Sequence, residues 1–395
     1  MLPVHIAHCT LLIKQLTSAN ESIPGQYIVY YAEDADRASA NERLFFAPTS
    51  AVASSSESFH IVRELKRAIV VAGIHDEHHR ALLKDPDVTK VIQDFWVSKY
   101  TVQTDPQNWG LDRIDQAKLP LDKSYEYTYD GSGVQVYVLD GAIRNTHYEF
   151  GSRVVACKSI TTEFCEYYDD HGTHVAGIIG GLRFGVAKNV TLVSVDLFGT
   201  SQSTTSSTII AGIEYVIDQK IINPDTPMII NMSLGSRRLF ERIQEIDDAV
   251  AAGIVVVTAA GNEARNSCRF IPAYVPRAIT VGASVWNDRV ATFSNHGACV
   301  DIFAPGVNIN SAIAYSDLHI GSFSGTSMAA PHVAGAAALY LHANPTWTPD
   351  QVWNAMRDDA ADVTYFGKRF LPFRKLARFF RNRKTTGLLL QVQNI

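Results

Sequence analysis

The stretch Ser324-Gly325-Thr326-Ser327-Met328-Ala329-Ala330-Pro331-His332-Val333-Ala334-Gly335 governs the reading of the whole chain. Gly325-Thr326 makes a tight turn. The small and apolar residues that follow, through Ala336, Ala337, Leu339 and Tyr340, predict a helix with Ser327 in its first turn. A hydroxyl placed there faces backbone N–H groups that lack a partner within the helix. It also faces the positive end of the helix dipole, where developing negative charge is stabilised. Pro331 is read as part of that first turn, where a missing N–H costs little.

Upstream of this helix, from Asp130, short apolar runs at 134–139, 190–196, 228–232, 254–258 and 278–281 read as strands. They alternate with helical patterns near 174–181, 207–217 and 240–252. Strands joined by helical crossovers predict an α/β fold with a doubly wound, mostly parallel sheet. In such sheets the reactive groups gather beyond the carboxyl ends of the strands. Asp140 ends one predicted strand, Asn262 follows another after Ala259-Ala260-Gly261, and His171 opens a helix.

Residues 23–100 read as a separate, smaller α+β unit. Strands are expected at 27–31, 68–71 and 88–95, with helices over 59–66 and from Asp76 to Leu83. His75, His78 and His79 cluster at the start of the second helix without a fourth ligand and are read as solvated. The first 22 residues hold a short apolar run at 11–13, interrupted by His5, His8 and Lys14. That makes a poor secretory signal, so a truncated start or a weak signal is expected.

Composition narrows the function. The chain is 46% apolar and 19% charged with a net charge of -5, an overall balance that points to neither nucleic acid nor an acidic surface as its partner. No apolar run approaches the roughly 20 residues that span a bilayer. The five cysteines, Cys9, Cys157, Cys165, Cys268 and Cys299, show no metal-binding spacing. Two disulfides in an oxidising compartment or buried free thiols both remain open on that count.

Acyl transfer requires a hydroxyl, a base, a carboxylate to orient the base, and donors for the oxyanion. Ser327, His171, Asp140 and Asn262 are the candidates, and the order Asp, His, Ser is one of those known to build a triad. Taken together, Gly325-Thr326-Ser327-Met328-Ala329-Ala330-Pro331-His332, His171-Gly172-Thr173-His174-Val175-Ala176-Gly177, Asn231-Met232-Ser233-Leu234-Gly235 and Ala259-Ala260-Gly261-Asn262 resemble the subtilisin-like serine proteases of the proteinase K branch. So do Phe293-Ser294-Asn295 and Phe303-Ala304-Pro305-Gly306.

The resemblance implies a serine endopeptidase with Ser327 as nucleophile, His171 as general base, Asp140 orienting it, and Asn262 holding the oxyanion. It implies that Ser233, Leu234 and Gly235 bind the substrate as an added strand. With Ala259, Ala260 and Gly261 they wall an uncharged S1 pocket suited to apolar or aromatic P1 residues. It also implies that 23–100 is a ferredoxin-like inhibitory propeptide, released by self-cleavage at Tyr100–Thr101, with 101–395 the peptidase domain. It pairs Cys268 with Cys299, leaving Cys157 and Cys165 to each other. Pro276, Ala278 and Asp301 match a structural Ca²⁺ site, and no cofactor is required for the chemistry. The expected protein is a secreted or vacuolar monomer acting on polypeptides, with its own propeptide as inhibitor.

Two departures from the family stand out. After Asp140 the family has Thr or Ser and then Gly, whereas this chain has Gly141-Ala142. A catalytically impaired binding protein is therefore the alternative; a metallohydrolase built on His171 and His174 lacks a third ligand. The second departure is the segment 367–384, which carries eight basic residues and no acid among its aromatics. It reads as a solvated surface helix packing its aromatics on the domain or an imperfect gene model, with contact to an anionic membrane or an acidic partner as the alternative.

Overall fold

A computed structural model describes residues 22–46, 60–95, 101–165, 167–237, 243–362 and 386–392. The initial segment through residue 21, Tyr100 and the basic stretch 367–384 lie outside the described residues. The chain divides into two compact units, Met1–Lys99 and Tyr100–Ile395.

The first unit runs β1 (Ser22–Tyr31), α1 (Arg37–Asn41), β2 (His60–Glu64), β3 (Ala68–Ala72), α2 (Asp76–Leu82) and β4 (Val88–Phe95). Its antiparallel sheet has the order β2-β3-β1-β4, the split βαββαβ arrangement of ferredoxin-like units. Val29, Phe45, Ile69, Val71, Ile74 and Leu82 form its core.

Two expectations are corrected here, and one helix is added. The helix over 59–66 is strand β2: Ile61 and Val62 are β-branched and favour extended backbone. A turn closed by Leu65 N–H on Ala68 O (2.9 Å) folds the segment onto β3, with Ile61 opposite Val71. Helix α1 escaped notice because its sequence has no apolar period. It is specified by its cap, Asp36, which accepts from the N–H groups of Ala38 and Ser39 at 3.1 and 3.4 Å. His78 is buried rather than solvated, and its Nδ1 accepts the His75 N–H at 3.4 Å.

Among the described residues the second unit is organised on a sheet of nine strands: β5 (Gln135–Asp140), β6 (Val154–Ser159), β7 (Thr191–Asp196), β8 (Met228–Met232), β9 (Val255–Ala259), β10 (Ile279–Ser284), β11 (Ile302–Pro305), β12 (Ala361–Asp362) and β13 (Leu388–Leu389). Their order is β12-β13-β11-β10-β9-β8-β5-β7-β6. All pairings are parallel except that of the edge strand β12 with β13.

Helices cover both faces. On one lie α3 (Asp170–Gly180), α6 (Thr326–Ala343) and α7 (Pro349–Asp359); on the other lie α4 (Ser206–Ile222) and α5 (Gln244–Ala251). The strand period of two divides the core: Val136 and Val138 face the first set, while Tyr137 and Leu139 face the second. Ile229 and Ile230 part in the same way, as do Val257 and Val256. Each aliphatic side chain fully buried in this manner contributes about 1.5–3 kcal/mol, so the central strands read as continuous apolar runs.

From β5 the chain winds first to β7 and β6 on one side and then to β8 and β9 on the other. The carboxyl ends of β5, β8 and β9 therefore open side by side at the point of reversal. Asp140, Ser233 and Asn262 are the residues delivered there.

Candidate active site

Asp140 is almost fully buried, with 2% of its surface exposed. Its Oδ1 accepts from the Gly141 N–H and from His171 Nδ1, both at 2.8 Å. Its Oδ2 is buried without a hydrogen-bond partner. Gly141 and Ala142 have no side-chain hydroxyl to offer it.

His171 stands in the first turn of α3, whose cap is Asp169, accepting the Gly172 N–H at 2.9 Å. The imidazole side chain is 39% exposed. Burial disfavours its cationic form, but the charge and hydrogen bond of Asp140, with Asp169 in support, outweigh that and push His171 up to about 9. Two glycines allow the strand end and the helix start to come this close. A Cβ on Gly172 would overlap the Gly141 carbonyl oxygen, and one on Gly141 would lie 2.6 Å from Asp169 Cγ.

Ser327 occupies the start of α6, among N–H groups with no intrahelical partner. Its Oγ donates to the Ser233 carbonyl at 3.1 Å rather than to His171. Hydrogen bonds of this kind commonly tighten only once substrate is bound. The reading of Pro331 is corrected: it lies inside α6, beyond the first turn. The N–H it lacks would have bonded the Ser327 carbonyl. That carbonyl instead accepts the Ser233 hydroxyl at 2.8 Å, so Ser233 and Ser327 hold each other reciprocally.

Asn262 is oriented by donors. Thr326 N–H and Oγ1–H can only give protons to Asn262 Oδ1, at 2.8 and 3.0 Å. The Asn262 amide N–H₂ is left to donate elsewhere. Thr326 Oγ1 also accepts the Gly261 N–H at 3.1 Å, joining the loop after β9 to α6.

A cleft of about 530 Å³ adjoins these groups, lined by Ser233, Leu234, Gly235, Ala259, Ala260, Gly261, Asn262, Thr326 and Ser327, with Glu263, Phe270 and Ile271. The sequence reading assigns the first six to substrate binding and gives Asn262 and Ser327 their catalytic roles, but misses Glu263, Phe270 and Ile271. Glu263 puts a carboxylate in a lining expected to be uncharged. Its Oε2 accepts from Asn295 Nδ2 at 2.8 Å, and Asn295 Oδ1 in turn accepts the N–H groups of Glu263 and Arg265. Gly261 has φ +99, and a Cβ there would overlap Asn295 Nδ2, so the close approach requires glycine. The segment 199–205 contains no strand.

His174 and His332 serve packing. His174 Nε2 bonds the carbonyls of Ile309 and Gly321 at 3.0 and 3.2 Å, and its ring stacks on Phe323. His332 Nδ1 bonds Met328 O at 2.8 Å. Burial lowers the two to about 3 and about 4, so both stay neutral.

Pro276, Ala278 and Asp301 line a second cleft, of about 460 Å³, together with Asp350. Burial raises Asp301 to about 6, although the Thr280 N–H on Oδ2 (2.8 Å) opposes the shift. Carboxylate and carbonyl oxygens in one place are the donors that suit Ca²⁺. Disulfides join Cys157 to Cys165 and Cys268 to Cys299. No helix among the described residues is long and apolar enough to cross a membrane.

Known proteins resemble this chain in sequence and fold. The sequence profile of the subtilase family matches residues 131–382. The chain is 42% identical over 354 residues to an extracellular serine proteinase of Thermus sp. (strain Rt41A), covering 86% of this chain and 85% of that protein. It is 38% identical over 281 residues to a cuticle-degrading serine protease of Arthrobotrys oligospora, covering 69% and 68%. The crystal structure of a cold adapted subtilisin-like serine proteinase superposes with a TM-score of 0.63 at 40% identity. That match covers 72% of this chain and 97% of the other.

Proposed function

The chain belongs to the subtilase family of serine endopeptidases, and from that premise we propose that it cleaves polypeptides through an acyl-enzyme formed on Ser327, as a secreted enzyme that processes itself from a zymogen. The 2.8 Å bond between Asp140 and His171 carries this reading. It fixes the ring by Nδ1, so that Nε2 is the nitrogen available to take the Ser327 proton and return it to the leaving amine. Asn262 Nδ2 and the Ser327 N–H hold the oxyanion at the start of α6, where the helix dipole favours negative charge. The same bond argues against an impaired binding protein.

Ser233, Leu234 and Gly235 pair with the substrate backbone as an added strand. The small residues Ala259, Ala260 and Gly261 leave room for an apolar or aromatic P1 side chain. Residues 23–100 act as the inhibitory propeptide, and cleavage falls at Tyr100–Thr101. The mature enzyme is a monomer, extracellular or vacuolar, and the chemistry needs no cofactor.

The direct test is labelling with a fluorophosphonate, followed by peptide mapping and N-terminal sequencing. One phosphonyl group on Ser327, a new terminus at Thr101 and faster cleavage after Phe or Tyr than after Lys or Asp are expected. Label on another residue, or activity indifferent to the reagent, would refute the assignment.

Pro276, Ala278 and Asp301 would hold a structural Ca²⁺, which supplies the positive charge that the buried Asp301 carboxylate lacks. Because burial raises Asp301, its carboxyl is neutral below about 6 and ionised above. Calcium at 100 times its dissociation constant stabilises by about 2.7 kcal/mol. The rise in Tm should be larger at pH 8 than at pH 5 and should vanish in Asp301→Asn. An equal rise in that variant would remove the site.

A further inference from the structure

We infer that Asp169 is a positioning residue for His171: it occupies the space beside Asp140 that residue 141 leaves empty and gives the imidazolium a second carboxylate. The inference rests on His171 being the general base. Its origin is the Gly141-Ala142 pair, which stands where family members carry a hydroxyl residue and then Gly. A side chain on residue 141 would meet the Asp169 side chain at once, with its Cβ 2.6 Å from Cγ and 2.8 Å from Oδ1. The two positions therefore share one volume, and here Asp169 fills it.

Asp169 is held in that volume through both its side chain and its backbone. Its Oδ1 accepts the Gly172 N–H at 2.9 Å. Its own N–H donates to Ala142 O at 2.8 Å, and the neighbouring Tyr168 bridges Ala142. Asp140, Asp169 and His171 thus place one oxygen or nitrogen each within 4.8 Å of one another. Such a carboxylate steadies the ring when it gains a proton and opposes release of that proton.

The other charged or titratable groups near the ring do not duplicate this role. Asp170 points its Oδ1 at the Ala314 N–H, 2.8 Å away. His174, one turn along α3, is kept neutral by burial.

Asp169→Asn tests the idea, because the amide keeps an oxygen for the Gly172 N–H and Asn caps helices as well as Asp. Hydrolysis needs neutral His171, so the acid limb of kcat/KM follows its free-enzyme titration. One partly screened charge within this range is worth on the order of half a unit to one unit of pH. The limb should move that far toward acid in Asp169→Asn and stay in place in Asp170→Asn. Asp169→Ser, which retains a capping oxygen, gives the same reading if the amide variant does not accumulate.

An unmoved limb, a limb moved toward alkali, or equal shifts in both Asp variants would overturn the role of Asp169 and leave the triad untouched. Hydrolysis surviving in Ser327→Ala would instead remove the reading beneath it.

Discussion

Ser327→Ala should remove nearly all hydrolysis while leaving the protein folded. The Oγ gives up a single hydrogen bond, to the Ser233 carbonyl, and the opposing bond from Ser233 to the Ser327 carbonyl survives because it uses the backbone. Stability should change by less than about 1 kcal/mol, the net value of one hydrogen bond. Catalysis is another matter. Without a nucleophile, kcat should fall by about 10⁶, a figure that belongs to subtilisin, whose own serine knockout supplied it. A residual rate above water should remain, since Asn262 and the α6 N–H groups still offer donors to an oxyanion. The measurements are kcat/KM on a peptide substrate, intact mass and Tm, all beside wild type. A loss of less than 100-fold with unchanged Tm would mean that another residue attacks the carbonyl.

The second large effect is expected far from any reacting atom. In Gly172→Ala the new Cβ would overlap the Gly141 carbonyl oxygen and lie 2.7 Å from its carbon. Both are backbone atoms, so no rotamer change relieves the clash; α3 must move away from the end of β5. Overpacking of this kind costs about 1–3 kcal/mol. The same movement lengthens the bond from His171 to Asp140. Displacement of a catalytic group by an ångström costs about 10²-fold in rate. Lower Tm together with slower fluorophosphonate labelling of Ser327 is expected. If both were unchanged, the close approach of the two glycines would not be what sets the Asp140–His171 geometry.

Much of the site was legible because its chemistry is carried by short stretches. The turn before Ser327, the Asp that ends a strand and the His that opens a helix each follow from local propensity and from where a parallel sheet exposes its strand ends. The small unit was legible in part. Its strands at 27–31, 68–71 and 88–95 stand out, but the strand at 60–64 does not, because the β-branched Ile61 and Val62 are too short a signal without the pairing to β3 that completes it. Helix α1 was missed because a capping Asp36, rather than an apolar stripe, defines it.

The sequence by itself determined which side chains could do chemistry and the order in which the chain supplies them. It also determined a doubly wound sheet, since both rest on residue type and on periods of two and 3.6 that neighbours along the chain already express. Only the tertiary structure decided which distant groups complete them. Ser233 takes the carbonyl freed by Pro331 across 94 residues, and Asn295 ties down Glu263 in the cleft wall across 32. Asp169 fills the space beside Gly141. Such pairs depend on how closely packed elements approach, which is set by volume and hydrogen-bond satisfaction in three dimensions and leaves no periodic trace in one.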